Sequence, residues 1–465
     1  MECPQKGTWG NVMTTPIPML DLMFFLTERV DNPRHVGAVQ IFRLPKRGGA
    51  DRVREIVAAY RKARPQAPFN RVPEFHPTGM PQWREVDGIE PQYHVFHIAL
   101  PSPGTDEQLH QLVADLHGPM LERNRPGWKV YVIEGLSGGR FAVYHKVHHA
   151  LVDGESGMQI LERALSTRAN DRRIRTTVGL GIRHRPRPVP HDMRATLERE
   201  AQKLARRTRS IGRGSLHLLE DTLQGLRGFS RTERRAFTAP QTPMNEPIHN
   251  ARAVSHAVFP LRGLKAIARR HKCTLNDVAL CLVDAGLNRY LKAQGRKPDH
   301  PLVAICPVSL HDPGVKEATT NVSAIWPMLG QPDDPPTRRL KAIQASTHAA
   351  KSDLKNLGKD AAYAYAVMSF ALIETLSSAH VERYGMRPAN VLVSNVRGPE
   401  RHLYLNGARL EALFPVSTLI AGVGLNITLM SYADEVDFGF TANGAAMPEV
   451  ESLAAYVADA YAALK

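Results

Sequence analysis

The chain has 465 residues, a formal net charge of +15, 43% hydrophobic and 23% charged residues, which suits a globular protein of two to three domains. No apolar run is long enough to span a bilayer. The opening Met1-Glu2-Cys3-Pro4 has no basic segment leading into an apolar one, so a cytoplasmic location is expected. The four cysteines (Cys3, Cys273, Cys281, Cys306) form no CxxC pair, which excludes a zinc ribbon and suits a reducing compartment.

Residues 1–165 read as a mixed α/β unit. Val53, Ile56, Val57 and Tyr60 recur at helical spacing and predict a helix over 52–64. Residues 129–134 and 140–147 predict two strands, and Gly135-Leu136-Ser137-Gly138-Gly139 between them predicts a hairpin turn. That pentapeptide fits GxSxG, but a nucleophile elbow needs a helix after its strand, so Ser137 is not read as a nucleophile. Alternation puts Phe141, Val143, His145, Val147 and then His149 on one face of the second strand. Residues 158–165 predict a helix.

Residues 166–240 differ in composition. Between Thr167 and Pro240 there are 18 Lys or Arg against 7 Asp or Glu. A Pro- and Arg-rich run at 183–190 predicts an extended linker. Leucines at helical spacing, among them Leu197, Leu204, Leu216, Leu219 and Leu223, predict basic amphipathic helices. They are expected to dock on the protein body or on an anionic membrane or lipid-inclusion surface. Nucleic acid is disfavoured, because Phe229 is the only aromatic before Phe237 and stacking platforms are lacking.

Residues 241–465 read as a second α/β unit. Leu261, Leu264, Ile267 and Ala268 mark one helix, and a second runs from Thr274 to Gly295. Strands are predicted at 302–306, 391–396, 425–430 and 435–441, and a terminal helix carries Val450, Leu453, Val457 and Leu464. Gly439 in Asp437-Phe438-Gly439-Phe440 is read as a strand glycine where backbones approach closely.

The chemistry centres on His148-His149-Ala150-Leu151-Val152-Asp153-Gly154. A histidine at the end of a strand can project into a cleft, and its ordinary pKa of about 6.5 suits proton transfer near neutrality. An alcohol attacking a thioester needs such a base and an oxyanion donor, with no acyl-enzyme and no metal. His145, His148 and His149 converge poorly along a strand, so no metal site is expected. Thr274 and Asp277 are spaced as a helix cap. Asn276 is open to two readings, a neighbour of that cap or a candidate oxyanion donor.

This segment matches the HHxxxDG motif of the coenzyme A-dependent acyltransferase superfamily. Its flanks resemble the bacterial bifunctional wax ester synthase/acyl-CoA:diacylglycerol acyltransferase family. The resembling blocks are Pro18-Met19-Leu20-Asp21 with Phe24-Phe25, His35-Val36-Gly37, Tyr93-His94-Val95 and Leu100-Pro101. They continue with Arg125-Pro126-Gly127-Trp128 (glycine where the family's PLW motif has leucine), Asn276-Asp277, Pro307-Val308-Ser309-Leu310, Ser394 to Pro399, Gly424 to Ile427, and Ser431-Tyr432.

The resemblance implies an α/β (α+β) fold of two chloramphenicol acetyltransferase-like domains, 1–165 and 241–465, with a substrate tunnel at their interface and the basic linker 166–240 between them. It implies His149 as general base, His148 as its support and Asp153 as an orienting residue of the loop. It places Gly154, Trp128, Asn395 and Gly398 along the substrate path, Asn395 and Gly398 in a cleft-lining loop. The implied reaction moves a long acyl chain from acyl-CoA to a fatty alcohol or diacylglycerol. Coenzyme A thioester is then a substrate and no cofactor is expected. A non-catalytic lipid-surface protein of the same fold, or an acyltransferase for small alcohols or amines, are the competing readings.

Overall fold

In the computed structural model, residues 14–45, 49–75, 81–182, 239–309, 322–378 and 387–465 are described. The basic amphipathic stripes expected between 193 and 226 lie outside the described residues. Among the described residues, two six-stranded sheets organise the chain.

The first sheet grows from the predicted hairpin. Strands β6 (Trp128–Leu136) and β7 (Arg140–His148) pair antiparallel around the Gly135–Gly139 turn. A strand follows the GxSxG-like sequence, as the turn reading requires. The preceding strands are β1 (Thr14–Pro16), β2 (His35–Arg43), β3 (Arg71–Glu74), β4 (Gln82–Glu85) and β5 (Val95–Ala99). β1, β4 and β3 form a small sheet of their own. β5 runs parallel to β6, and β2 pairs antiparallel to β7 with His35 opposite His148.

The second sheet contains β8 (Arg252–Pro260), β9 (Ala304–Ser309), β10 (Val322–Ile325), β11 (Val391–Val396), β14 (Leu425–Tyr432) and β15 (Glu435–Asn443), in the order β10-β9-β11-β14-β15-β8. The two sheets are not separated by a single cut in the chain. Strands β12 (Tyr404–Leu405) and β13 (Ala408–Val416) lie within 241–465 in sequence, yet they complete the first sheet, where β13 pairs antiparallel with β2. This return covers the β2 edge that would otherwise expose unpaired backbone groups. Gly439 of β15 crosses β13 so closely that a Cβ there would stand 2.1 Å from the Pro415 carbonyl oxygen. The close-approach reading of that glycine holds, and the crossing ties the two sheets together.

Helices cover the sheets. They are α1 (Met19–Thr27), α2 (Gly49–Lys62), α3 (Asp106–His117), α4 (Gly154–Ala164), α5 (Thr177–Leu180), α6 (Leu261–Arg270), α7 (Leu275–Ala293), α8 (Pro336–Leu357), α9 (Lys359–Ser378) and α10 (Val450–Leu464). The predicted stripe Val53, Ile56, Val57 and Tyr60 of α2 is buried against Phe42, Val130, Val132, Phe141 and Val143. Each such side chain contributes roughly 2 kcal/mol by leaving water. The opposite face of the first sheet (Val39, Ile41, Ala142, Tyr144) buries Leu109 and Val113 of α3, together with Val254 of β8. The second sheet packs Val391, Val393, Ile427, Leu429 and Phe440 against α7, α8 and α10.

Candidate active site

β7 delivers its last residue, His148, into a turn that α4 closes. Asp153 is the N-cap of α4. Its carboxylate accepts from the Ser156 N–H at 2.7 Å, and its carbonyl accepts from the Gly157 N–H at 2.9 Å. The Asp153 side chain thus ties the loop to the first turn of α4. Gly154 begins α4 where a Cβ would lie 3.2 Å from Cγ2 of Val396, at the end of β11. The histidine turn therefore sits where the first sheet meets the second.

The two histidines leave this turn into different surroundings, and α1 meets both. Phe24 stacks on His149 with ring centroids 4.1 Å apart and 19° between planes. Phe25 stacks on His148 at 4.2 Å and 10°. The His149 backbone N–H donates to the Arg34 carbonyl at 2.9 Å. The His149 side chain is half-buried. Burial pushes its pKa down to about 4, while the nearby Asp153 charge pulls the other way. The ring is therefore neutral at pH 7, in the form a base requires. Asp21 of α1 also belongs to this neighbourhood. Burial, with the Asp153 charge adding to it, raises its carboxyl to about 7.

His148 is buried and engaged. Its Nδ1 accepts from the Ala150 N–H at 3.2 Å, and its Nε2 faces Glu28 Oε1 at 3.5 Å. Glu28, also buried, accepts from the Arg34 N–H at 3.2 Å and from Arg123 Nε and Nη2 at 3.2 and 3.1 Å. Burial by itself would raise the Glu28 carboxyl. His148, the Arg34 N–H and Arg123 outweigh it and hold the group below the ordinary carboxylate range.

His145 points elsewhere again. Its Nδ1 meets Gln40 Nε2 at 2.7 Å, and its Nε2 meets the Tyr60 hydroxyl at 2.9 Å and Thr177 Oγ1 at 3.0 Å. The three histidines thus lie in three separate environments.

The remaining expected site residues are spread more widely. Trp128, expected along the substrate path, is 2% exposed, and its indole N–H donates to the Phe69 carbonyl at 2.7 Å. An aromatic ring beside a motif proves here to be core. Its neighbour Gly127 stands against the histidine turn, where a Cβ would meet Cβ of His148 at 3.0 Å. Gly127 also lines a small pocket with Phe25, Trp83, Leu121, Leu151 and His148.

Asn395 is exposed near the end of β11, one residue before Val396. The Gly398 N–H donates to Ser431 Oγ at 3.1 Å, and a Cβ there would stand 2.2 Å from the Ser431 carbonyl oxygen. Asp277 caps α7 as expected. Its carboxylate accepts from the Thr274 N–H at 2.9 Å, Thr274 Oγ1 at 2.7 Å and, across to α8, Thr347 Oγ1 at 2.7 Å. Asn276 is half-buried in the same first turn. Among the described residues, no hydrogen bond or ring contact joins it to the histidine turn.

Reading by motif missed Glu28, Arg34 and Arg123. The available signal was spacing: Glu28, the residue that ends α1, follows Phe25 by three residues and Phe24 by four, both helical-neighbour separations.

Two sheet-based α/β halves meet at the histidine turn in a two-domain α/β fold. The first condensation domain of the CDA synthetase has this fold at 16% identity and a TM-score of 0.54, over 97% of this chain and 96% of that one. The wax ester synthase/diacylglycerol acyltransferase of Marinobacter aquaeolei VT8 is more similar, with 28% identity and a TM-score of 0.74, over 97% and 98% of the two chains.

Family models for the wax ester synthase/diacylglycerol acyltransferase catalytic domain and for the C-terminal domain match residues 17–279 and 320–465. A Mycobacterium tuberculosis protein named "Putative diacyglycerol O-acyltransferase" is 33% identical over 460 residues, 95% of this chain and 89% of its own length. A Mycobacterium bovis relative of the same description is 32% identical over 462 residues, 97% and 96% of the two chains. The chain belongs to the wax ester synthase/diacylglycerol acyltransferase family.

Proposed function

We propose that this acyltransferase moves a long acyl chain from coenzyme A to the hydroxyl of a fatty alcohol, giving a wax ester, or of diacylglycerol, giving triacylglycerol. His149 takes the hydroxyl proton while the alcohol oxygen forms its bond to the thioester carbonyl. The tetrahedral oxyanion collapses, the C–S bond breaks, and the imidazolium returns its proton to the departing sulfur. Free coenzyme A and the ester are the products, and neither a metal nor a cofactor takes part.

The observation that carries this reading is the state of His149. Its backbone is pinned to Arg34, its ring is set by Phe24, and burial holds it in the neutral base form. A base of low pKa is weak in bulk water. Here the Asp153 charge compensates the imidazolium as it forms. The sulfur is a good leaving group, since a thiol ordinarily titrates near 8.5.

The substrates are hydrophobic, and an anionic membrane face or lipid inclusion is the proposed place of delivery. The +11 balance of the 167–240 stretch supports this. Among the described residues no helix is long and apolar enough to cross a membrane.

The test supplies purified protein with palmitoyl-CoA and, in turn, hexadecanol, dioleoylglycerol, a short alcohol and a small amine. Thiol release matched by ester with the two long acceptors is expected. Turnover confined to the short alcohol or the amine would overturn the acceptor class. No turnover with any acceptor would favour a non-catalytic lipid-surface protein.

A further inference from the structure

We infer that Glu28 is a positioning residue for His149, acting on both backbone flanks of that histidine. The inference rests on the reading of His149 as the base.

One route runs through Arg34. Glu28 Oε1 accepts from the Arg34 N–H at 3.2 Å, and the Arg34 carbonyl accepts from the His149 N–H at 2.9 Å. The other runs through His148. Nδ1 of His148 accepts from the Ala150 N–H at 3.2 Å, so the ring proton is assigned to Nε2, which faces Glu28 at 3.5 Å. The N–H of His149 and the N–H of the residue after it therefore both trace back to one carboxylate.

Arg123 sets the requirement for a charge at this position. Its Nε and Nη2 both donate to Glu28 Oε2, so that oxygen must be an acceptor. An amide in place of the carboxylate would have to turn its oxygen to Arg123 and its NH2 toward both His148 and the Arg34 N–H, which would lose its acceptor. His148 Nε2 would then have to accept, and its proton would move to Nδ1. Two N–H groups, those of His148 and Ala150, would oppose each other, and the turn that carries His149 would shift. A displacement of about 1 Å at a reacting group is enough to cost up to about a hundredfold in rate. A carboxylate with only a packing role would show no such dependence on the His148 tautomer.

The test is a double-mutant cycle on the full-length protein, measuring thiol release from palmitoyl-CoA with hexadecanol, with melting temperatures taken in parallel. Glu28→Gln is expected to lower kcat about 30-fold with the KM for palmitoyl-CoA within about twofold. His148→Asn keeps a side-chain oxygen for the Ala150 N–H without a ring proton to be held. In that background Glu28→Gln still removes the acceptor of the Arg34 N–H but no longer disturbs a His148 ring proton, so its cost is expected to fall to about tenfold or less, a non-multiplicative result. Multiplicative effects, or a kcat for Glu28→Gln within twofold of wild type, overturn the inference.

If Glu28→Gln does not fold, the cycle is run with Glu28→Asp. This variant keeps the charge for Arg123 and withdraws the oxygen from His148. Coupling to His148→Asn above about threefold is then expected, and coupling below twofold overturns the inference. His149→Ala is assayed alongside. Near-wild-type turnover in that variant removes the base itself. Loss in His149→Ala with no coupling at Glu28 removes only the positioning role.

Discussion

The first turns of α4 and α7 are built on the same device, a side-chain cap at a helix start, and their key residues end in different states. In the α7 turn, Asp277 engages its carboxylate with the Thr274 backbone, the Thr274 hydroxyl and Thr347 of α8. In the α4 turn, Asp153 caps the helix and His148 is engaged with Ala150 and Glu28. His149, between them, is held through its backbone N–H and the face of its ring, and its side chain stays half-buried. A motif residue whose polar atoms are all engaged stabilises the fold.

That contrast can be broken at its strongest point first. His149→Ala is expected to lower the rate of thiol release about a thousandfold, as loss of a general base does, with a melting temperature within a few degrees of wild type. A loss below tenfold would mean that the turn does not carry the chemistry.

Asp277→Ala should behave in the opposite sense. Three hydrogen bonds to a buried carboxylate are lost, so urea unfolding should show roughly 3 kcal/mol of destabilisation. The kcat per folded molecule should stay within about twofold. A hundredfold fall in kcat at unchanged stability would make the α7 turn part of the active site.

His145 sharpens the comparison with a smaller effect. Burial lowers its pKa to about 4, against about 6.5 in an unfolded chain. Between those values the unfolded state binds a proton that the folded state does not, so the stability His145 contributes at pH 7 is lost as the pH falls from 6.5 toward 4. His145→Gln should therefore be less stable than wild type at pH 7, and the gap should narrow on acidification. A gap that stays constant in denaturant melts between pH 7 and 5 would show that His145 is not held neutral.

The local parts of this fold could be read from the chain. The β6–β7 hairpin, the turn that ends β7 and the Thr274–Asp277 cap each depend on residues close in sequence. Their periodicity and spacing carry the information. The return of β13 to the first sheet could not be read, because alternation marks a strand and does not name its partner. The burial of Trp128 could not be read for a related reason. Its position beside a motif says nothing of the Phe69 carbonyl that receives its N–H. Glu28 is one of 45 acidic residues. It stands out only once α1 docks and brings it against Arg34, Arg123 and His148 together.

At the centre stands His149 acting as a half-buried, neutral base. Its most direct measurement is kcat/KM for palmitoyl-CoA against pH, from 8 down to 5, corrected for folded fraction. With the His149 pKa held down to about 4, the account predicts a flat acid side, still above half its plateau at pH 5. A half-maximum near 6.5, where an ordinary solvated histidine titrates, would contradict it.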